Sequence, residues 1–591
     1  MKTNILKEKK GVYISVLITV LAFSVIFLNS FYWPYEEISK RKIFVWAVAI
    51  GATIIIPILS VKVSALYHFV QNIGQSVLKG FAWLKKNKTR IIWFLVIMFL
   101  GIVLSDVVTF IINEKFLKTE YNPKMFETFV ALLTLIVAMS FIWKVASERR
   151  ECVFVIIALI MGIFSISVTP NRVGISWDDE VHYRKTLEIS NVLNGITYLA
   201  DERNIGEYAN NIYGSVGYDR ESAIQYENEL SISYEEYNDW TSRQFVEYGV
   251  WSVAYVPAAV GIMLARGLGL SYINVFNTGR LINLIGYVLL IYLSMKRIKH
   301  GKMIIATIGL IPTSVFMAAS YSYDWWVTGF TILGFSYFFA ELQEESKLSN
   351  KNMFIILGAL LLGCLPKAIY FPILFPLLFM PRAKFKNSKQ QKWYYVLIVG
   401  VGVLLVASFL LPRFIHGIGT GDERGGTEVN STNQVMYILQ NPADYAKTLI
   451  DFLKFYISPP NTGPMLQRLA YIGEGEFYGV VSVLLPVVAF LDRGDACKRN
   501  YVVRCAGIIG CAVALVLATT ALYISFTSVG ADTVAGMQGR YMVPFIFPTL
   551  YCFGVGGTQH KINKNAFVCL PMIIISLTFI YNMFTLCVLR Y

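Results

Sequence analysis

Long apolar runs separated by short basic clusters set the pattern of this chain. A helix needs about 20 apolar residues to cross the hydrocarbon of a bilayer. By that measure candidate spans fall at 11–33, 43–63, 91–113, 125–145 and 152–169. After a long polar insert come 275–296, 302–321, 325–342, 353–365, 368–381, 393–412, 477–491, 502–522, 541–556 and 566–588. Residues 64–90 are apolar but interrupted and end in Lys85, Lys86, Lys88 and Arg90, so they read as a helix on the inner surface. The run 11–33 is too long for a signal-peptide core and reads as a retained first span. The pattern predicts an all-α polytopic membrane protein with about 13–16 transmembrane helices.

Orientation follows from the Lys/Arg bias. Lys2, Lys7, Lys9 and Lys10 place the N-terminus in the cytoplasm, and Lys144, Arg149 and Arg150 fall on the same side. The fifth span then delivers residues 170–250 outside. That stretch holds 15 of the 38 acidic residues and six Lys/Arg. If 251–268 lies flat on the outer surface as a helix, four basic loops land inside together: 296–299, 347–351, 382–392 and 498–499. Three regions emerge: an N-terminal transmembrane module, 1–169; a first large extracytoplasmic loop with surface helices, 170–274; and a C-terminal transmembrane region, 275–591, with outer loops at 413–476 and 523–540.

Composition agrees with that picture. The chain is 55% hydrophobic and 15% charged, with a mean hydropathy of +0.54, whereas soluble domains carry about 25% charged residues. The net charge of +14 resides in loops between apolar runs. No Lys/Arg stripe interleaved with aromatics points to nucleic acid. The eight Cys residues are scattered and form no CxxC pair, which excludes a disulfide framework or zinc knuckle.

Candidate chemistry lies in the second half. Trp177-Asp178-Asp179-Glu180-Val181-His182 follows the fifth span. On a helix Asp178 and His182 share a face. Asp178 suits a general base, with His182 orienting it, and the pair Asp178 and Asp179 is a candidate for a divalent cation. Asp178 also suits a plain helix N-cap. Gln538-Gly539-Arg540-Tyr541 stands at the outer mouth of span 541–556, where Arg540 can grip a phosphate or simply anchor at the headgroups. Asp324 follows Ser322-Tyr323 at another outer edge, and Arg280 and Lys367 are further cations expected there. Together with Arg540 they would form a cationic rim for a lipid phosphate. Gly417–Asn430 is Gly-rich and acidic, and reads as a mobile loop or lid. No GxSxG, HExxH or dinucleotide-binding glycine signature is present.

These residues resemble the GT-C superfamily of membrane glycosyltransferases, which carry paired acids in the first large outer loop, surface helices, then a span opening with Arg-Leu. Here those are Asp178-Asp179, 251–268 and Arg280-Leu281. More closely, the chain resembles a bacterial multi-pass family of unknown function with the pattern Asp-Glu-x-x-His and, far downstream, Gln-Gly-Arg-Tyr before a Pro. Asp178, Asp179 and His182 take the first pattern, with Asp179 where Glu is usual; Gln538, Gly539, Arg540, Tyr541 and Pro544 take the second. Ser322-Tyr323-Asp324 and Lys367-Ala368-Ile369-Tyr370 also fit. The resemblance spans roughly 165–590; residues 1–164 depart from it.

What the resemblance implies is transfer of a sugar from a polyprenyl-phosphate donor to a cell-surface glycan, at the extracytoplasmic face of the bacterial cell membrane. Asp178 would be the base. Asp179 and His182 would support it or hold a divalent cation (Mg or Mn). Arg540, Gln538, Tyr541, Arg280, Lys367 and Asp324 would bind the phosphate and sugar. The expected partners are the lipid donor, the glycan acceptor and the bilayer, with no nucleic acid. A transporter or flippase of a lipid-linked glycan, a polysaccharide polymerase or ligase, and a non-catalytic assembly subunit are the alternatives.

Overall fold

The computed structural model describes residues 88–193, 250–416, 421–492, 500–553 and 563–589. The expected spans 11–33 and 43–63, nearly all of the surface helix 64–90, the tyrosines of 194–248, residues 417–420 and the pair Lys498-Arg499 lie outside them. Among the described residues there is no β-strand. Eight helical stretches of the described residues are long and apolar enough to cross a bilayer, and three shorter apolar helices among those residues accompany them. The chain is an all-α polytopic membrane protein.

Helix α1 is Lys88–Ile111, α2 Pro123–Ile142 and α3 Arg150–Val168. Asn122 caps α2 by accepting from the N–H groups of Lys124 and Met125, with Pro123 at the first turn, where its missing N–H costs nothing. Helix α4, Asp179–Leu193, follows a buried loop. After the turn Val250–Tyr255 comes α5, Val256–Gly267. Its 12 residues reach about 18 Å, too little to cross a bilayer. It was expected to lie flat at the surface rather than span. It packs between α4 and the next helix, burying Ala258, Ala259, Ile262 and Ala265.

That next helix is α6, Tyr272–Arg297. It begins two turns before Arg280, so Arg280 does not head the span as expected but lies inside it. The predicted span 302–321 is broken into α7, Lys302–Gly309, and α8, Pro312–Ala318. The break falls at Pro312, which has no N–H for the helix ladder. Helix α9, Asp324–Gln343, is largely enclosed, with Val327, Ile332, Phe335 and Phe338 buried.

Helix α10, Asn350–Cys364, runs into a tighter 3₁₀ stretch, Leu365–Phe379. Near the start of this stretch Lys367 leaves helical geometry, with φ −131° and ψ 65°. The Leu348 N–H donates to the Lys384 carbonyl at 2.7 Å. Residues before α10 and after the 3₁₀ stretch are therefore neighbours, and the chain reverses at Lys367. The segment is a short hairpin with Lys367 at its tip, the two-span parsing that the hydropathy pattern predicts.

Helix α11 is Ser388–His416. The segment 421–476 carries α12, Ser431–Gln440, α13, Pro442–Ile457, and α14, Pro459–Gln467; then come α15, Gly479–Leu491, α16, Tyr501–Phe526, α17, Val543–Phe553, and α18, Lys564–Met583.

Polar contacts sort the helix termini into two ends of one bundle. At one end Arg297, closing α6, pairs with Glu341 and Glu344 near the end of α9. Lys384 bonds the carbonyls of Glu344 and Ser346. Asp492, after α15, accepts from the N–H groups of Met303 and Ile304 at the start of α7. Lys302 pairs with Glu151. The basic loops 296–299, 347–351 and 382–392 all fall here. The opposite end holds the start of α4, the start of α9, the hairpin tip at Lys367 and the turn before α17.

Candidate functional site

The loop leaving α3 is set by one carboxylate. Asp179, at the first turn of α4, accepts from the Gly174 N–H at 2.7 Å and the Ser176 N–H at 3.0 Å. Both oxygens are thereby committed inward. This tight turn forces the preceding residue, Asp178, into the left-handed region at φ 57°, an uncommon state for a non-glycine residue that marks stored strain. The Asp178 side chain is thrown away from α4 and does not cap it.

It meets Arg540. The Arg540 Nη2 donates to Asp178 Oδ2 at 2.6 Å, and Nη1 donates to Asp324 Oδ2 at 3.1 Å and to the Trp177 carbonyl at 3.4 Å. The guanidinium also faces the Trp177 ring, 5.2 Å from its centroid. Arg540 reaches this position because the chain before it packs at backbone distance: a Cβ on Gly539 would lie 2.3 Å from the Met465 carbonyl oxygen. Only glycine fits there.

Asp324 passes the charge on. Its Oδ1 pairs with Lys367 Nζ at 2.5 Å, and Ser322 Oγ donates to its other oxygen at 3.0 Å. Lys367 lies 4.3 Å from the Tyr541 ring centroid and 5.4 Å from that of Tyr323, contacts that stabilise a desolvated ammonium. Asp178, Arg540, Asp324 and Lys367 thus form one alternating chain of ion pairs, assembled from four segments remote in sequence. Asp324, Lys367 and Arg540 are all buried.

His182 lies one turn into α4. Its Nδ1 is 2.9 Å from the Tyr255 hydroxyl, its ring packs edge-on against Tyr323, and its Nε2 has no hydrogen-bond partner. Burial pushes the imidazole down to about 4 despite the nearby Asp178, so it is neutral at pH 7. Burial also pushes the Asp179 carboxyl well above its ordinary value, only partly offset by its backbone donors. For Asp178 burial acts upward too, but the charge and hydrogen bond of Arg540, aided by His182 and Arg424, hold the carboxyl below its ordinary value.

Gln538 leaves its side-chain Oε1 without a partner, while its carbonyl accepts from Tyr456. Tyr541 offers its ring to Lys367 and its carbonyl to the Tyr370 hydroxyl. Arg280 does not join the group. It is fully buried, donating to the Ala319 carbonyl, Asn277 and Thr169 Oγ1, and so ties α6 to the loops around it. The expected cationic rim therefore consists of Lys367 and Arg540 without Arg280.

A third cation takes its place. Arg424, in the short turn Glu423–Gly425, donates to Asp178 Oδ1 at 2.6 Å and grips Asp422 through two nitrogens. The turn is fixed on α16: the Asp422 N–H donates to the Ser525 carbonyl, and a Cβ on Gly425 would lie 2.3 Å from the Phe526 carbonyl oxygen. Sequence reasoning marked 417–430 only as a lid. The missed signal was an Arg in an outer loop, against the same charge bias that singled out Arg540. Tyr255 was missed as well, since nothing in a tyrosine-rich chain distinguishes one that bonds a histidine, and Tyr323 was named only as part of the Ser322-Tyr323-Asp324 pattern.

The pair Asp178 and Asp179 does not suit a divalent cation as it stands. One carboxylate is filled by backbone donors, the other by two arginines. Among the described residues no group of three or more His, Cys, Asp or Glu could hold a metal ion.

A sequence profile for a family described as "Predicted membrane protein (DUF2142)" matches residues 159–548, which is 390 of 591 positions. The matched stretch contains Asp178, His182, Asp324, Lys367, Arg424 and Arg540. No curated protein and no solved structure gives a significant match.

Proposed function

The chain belongs to the DUF2142 family of predicted membrane proteins, and we propose that its ion-paired site is that of a glycosyltransferase of GT-C type, moving a sugar from a polyprenyl-phosphate donor to a glycan acceptor. One observation carries the reading: Asp178 and Arg540, 362 residues apart, are in direct contact at the bundle end away from the basic loops. By the preference of Lys and Arg loops for the cytoplasm, that end faces outward.

The chemistry asks for two opposite functions side by side. The acceptor hydroxyl attacks the anomeric carbon; the bond from that carbon to the phosphate oxygen breaks; the hydroxyl proton goes to Asp178. Negative charge builds on the departing lipid phosphate, where Arg540 and Lys367 stabilise it. Cations fixed in a poorly hydrated setting are worth more there than in water. The carboxylates of Asp178 and Asp324 favour the positive character that grows on the sugar ring. Neutral His182 and Gln538, each with an unused polar atom, are suited to sugar hydroxyls. No step requires a metal.

The test is transfer in proteoliposomes containing the purified chain, a labelled polyprenyl-phosphate sugar and an acceptor glycan. Wild-type protein should form the glycosidic bond, and Asp178→Asn should lose about 10²-fold or more, as for a general base. Full activity in Asp178→Asn overturns the assignment of the base. Movement of the labelled lipid between leaflets without bond formation overturns the transferase reading in favour of a flippase.

A further inference from the structure

A general base held by two arginines cannot accept a proton while they stay. Asp178 has one arginine on each oxygen: Arg540 on Oδ2 and Arg424 on Oδ1, both at 2.6 Å. The two cations come from different elements, the turn before α17 and the turn on α16. They differ in accessibility: the Arg540 side chain is 5% exposed and the Arg424 side chain 54%. Arg540 Nε has no partner at all. A planar anion spread across two guanidinium groups is the arrangement by which paired arginines hold a phosphate. Here the protein fills it with its own carboxylate.

We infer that Arg424 and Arg540 form a two-pronged clamp for a phosphate ester, and that Asp178 is its resident stand-in, locked until phosphate displaces it. The inference rests on the site being a phosphate site. It adds a residue with no place in the reading above, Arg424, and an order of events. The phosphate of a lipid-linked sugar is a diester with one negative charge on two unesterified oxygens, as a carboxylate has, so it can take the same place between both guanidinium groups. Once they turn to it, Asp178 loses both partners and becomes a free carboxylate beside the bound donor. The base is thereby armed only when the donor is present, which guards against proton transfer without a donor.

Arg424 is then a positioning and binding residue whose exposed side admits the ligand. Asp422 holds it in place: the Asp422 carboxylate and Arg424 are joined by bonds of 2.6–3.2 Å, so Arg424 keeps one partner when Asp178 leaves.

The experiment is equilibrium binding to the full chain purified in detergent, with inorganic phosphate and farnesyl phosphate as probes. Neither probe carries a sugar, so the result is independent of whether transfer occurs. Asp178→Asn removes the internal competitor and should bind farnesyl phosphate about tenfold more tightly than wild type, because the occupied state no longer taxes the affinity. Arg424→Gln should bind it about tenfold more weakly. Unchanged or weaker binding in Asp178→Asn overturns the stand-in. If Asp178→Asn does not yield folded protein, judged by its melting midpoint, Arg424→Gln decides alone: wild-type affinity in that variant overturns the clamp. Tightening of farnesyl phosphate but not of inorganic phosphate identifies a lipid headgroup as the ligand; equal tightening identifies free phosphate. A clamp that behaves as expected in a protein that transfers no sugar leaves the clamp standing and removes the transferase.

Discussion

The two ends of the helical bundle both carry buried or half-buried charge, but they spend it differently. At the basic end, ion pairs such as Arg297 with Glu341 and Glu344 stand beside side chains that bond the backbone. Asp492 takes the two N–H groups that open α7, and Lys384 and Gln390 take carbonyls of the connection between α9 and α10. Satisfying such groups is structural work. At the other end, the buried charges bond chiefly to one another. Asp178, Arg540, Asp324 and Lys367 form a chain that closes no helix, bends the backbone at Asp178 and Lys367, and leaves Gln538 Oε1, His182 Nε2 and Arg540 Nε unused. Buried charge of the second kind adds little to stability for what it costs in desolvation. It is kept where something else is to be bound.

The sharpest way to break this contrast is Arg540→Met against Arg297→Met. Arg540 faces two carboxylates, and its loss leaves Asp178 with Arg424 alone and Asp324 with Lys367 alone. Removing one partner of a buried ion pair costs about 3–5 kcal/mol, so Arg540→Met should show the largest drop in melting midpoint of any substitution considered. Arg540→Lys restores charge but not the fork that reaches both acids, and should recover only part. If Arg297→Met is equally damaging, the two ends are not different in kind.

Next in size is the Lys367–Asp324 link. Lys367→Met leaves Asp324 with Arg540, and Asp324→Asn leaves Lys367 within its tyrosines. Each single change should cost about 2 kcal/mol or more, and the double variant markedly less than the sum, because the residues share one interaction. Additive losses in a double-mutant cycle would dissolve the pair.

A third outcome follows from pH. The His182 pKa is about 4 in the folded chain and about 6.5 when unfolded. Between those values the unfolded chain binds a proton that the folded chain refuses, so stability falls as pH drops from 6.5 toward 4 and levels below it. The slope is about 1.4 kcal/mol per pH unit per proton. Asp178, held below its ordinary value, acts in the same sense but only at lower pH, in the carboxylate range. Carboxyls that burial pushes up, such as Asp179, act in the opposite sense, so the histidine is read from the difference between the melting midpoints of the variants at pH 7 and 5.5: wild type should lose more stability than His182→Asn over that interval. Equal losses would mean that His182 is not held neutral.

How much of this was legible beforehand depends on which force decides each feature. Spans such as α1, α3 and α16 are set by hydrophobicity along the chain, which a one-dimensional reading measures directly. The tip at Lys367 was legible too, because Pro366 and a charge interrupt an apolar run. The break in 302–321 was not: its residues are apolar throughout, and only Pro312 distinguishes it. Arg280 was misjudged because charge and helix position do not tell whether an arginine faces a ligand or a neighbouring carbonyl. Arg424 was hidden for the complementary reason. Its partner lies 246 residues away, and a glycine-rich loop carries no periodicity from which its direction can be read. The meeting of Asp178 with Arg540 could be anticipated only through a family pattern, since no local rule links positions so far apart.

The smallest effect belongs to the basic end. Arg297 and Glu344 are 2.6 Å apart, with side chains 16% and 25% exposed. Glu344 is held below its ordinary value chiefly by the hydrogen bond from Arg297, with burial acting the other way. A pair this accessible is worth about 1 kcal/mol or less, and salt screens it. Glu344→Gln should therefore lower the melting midpoint slightly at low ionic strength and hardly at all near 1 M salt, where the Debye length shrinks to about 3 Å. The Asp324–Lys367 pair, enclosed and unscreened, should keep its coupling across the same range. Salt dependence thus separates the accessible Arg297–Glu344 pair from the enclosed Asp324–Lys367 pair without reference to activity: the first answers to ions in the surrounding water, and the second does not.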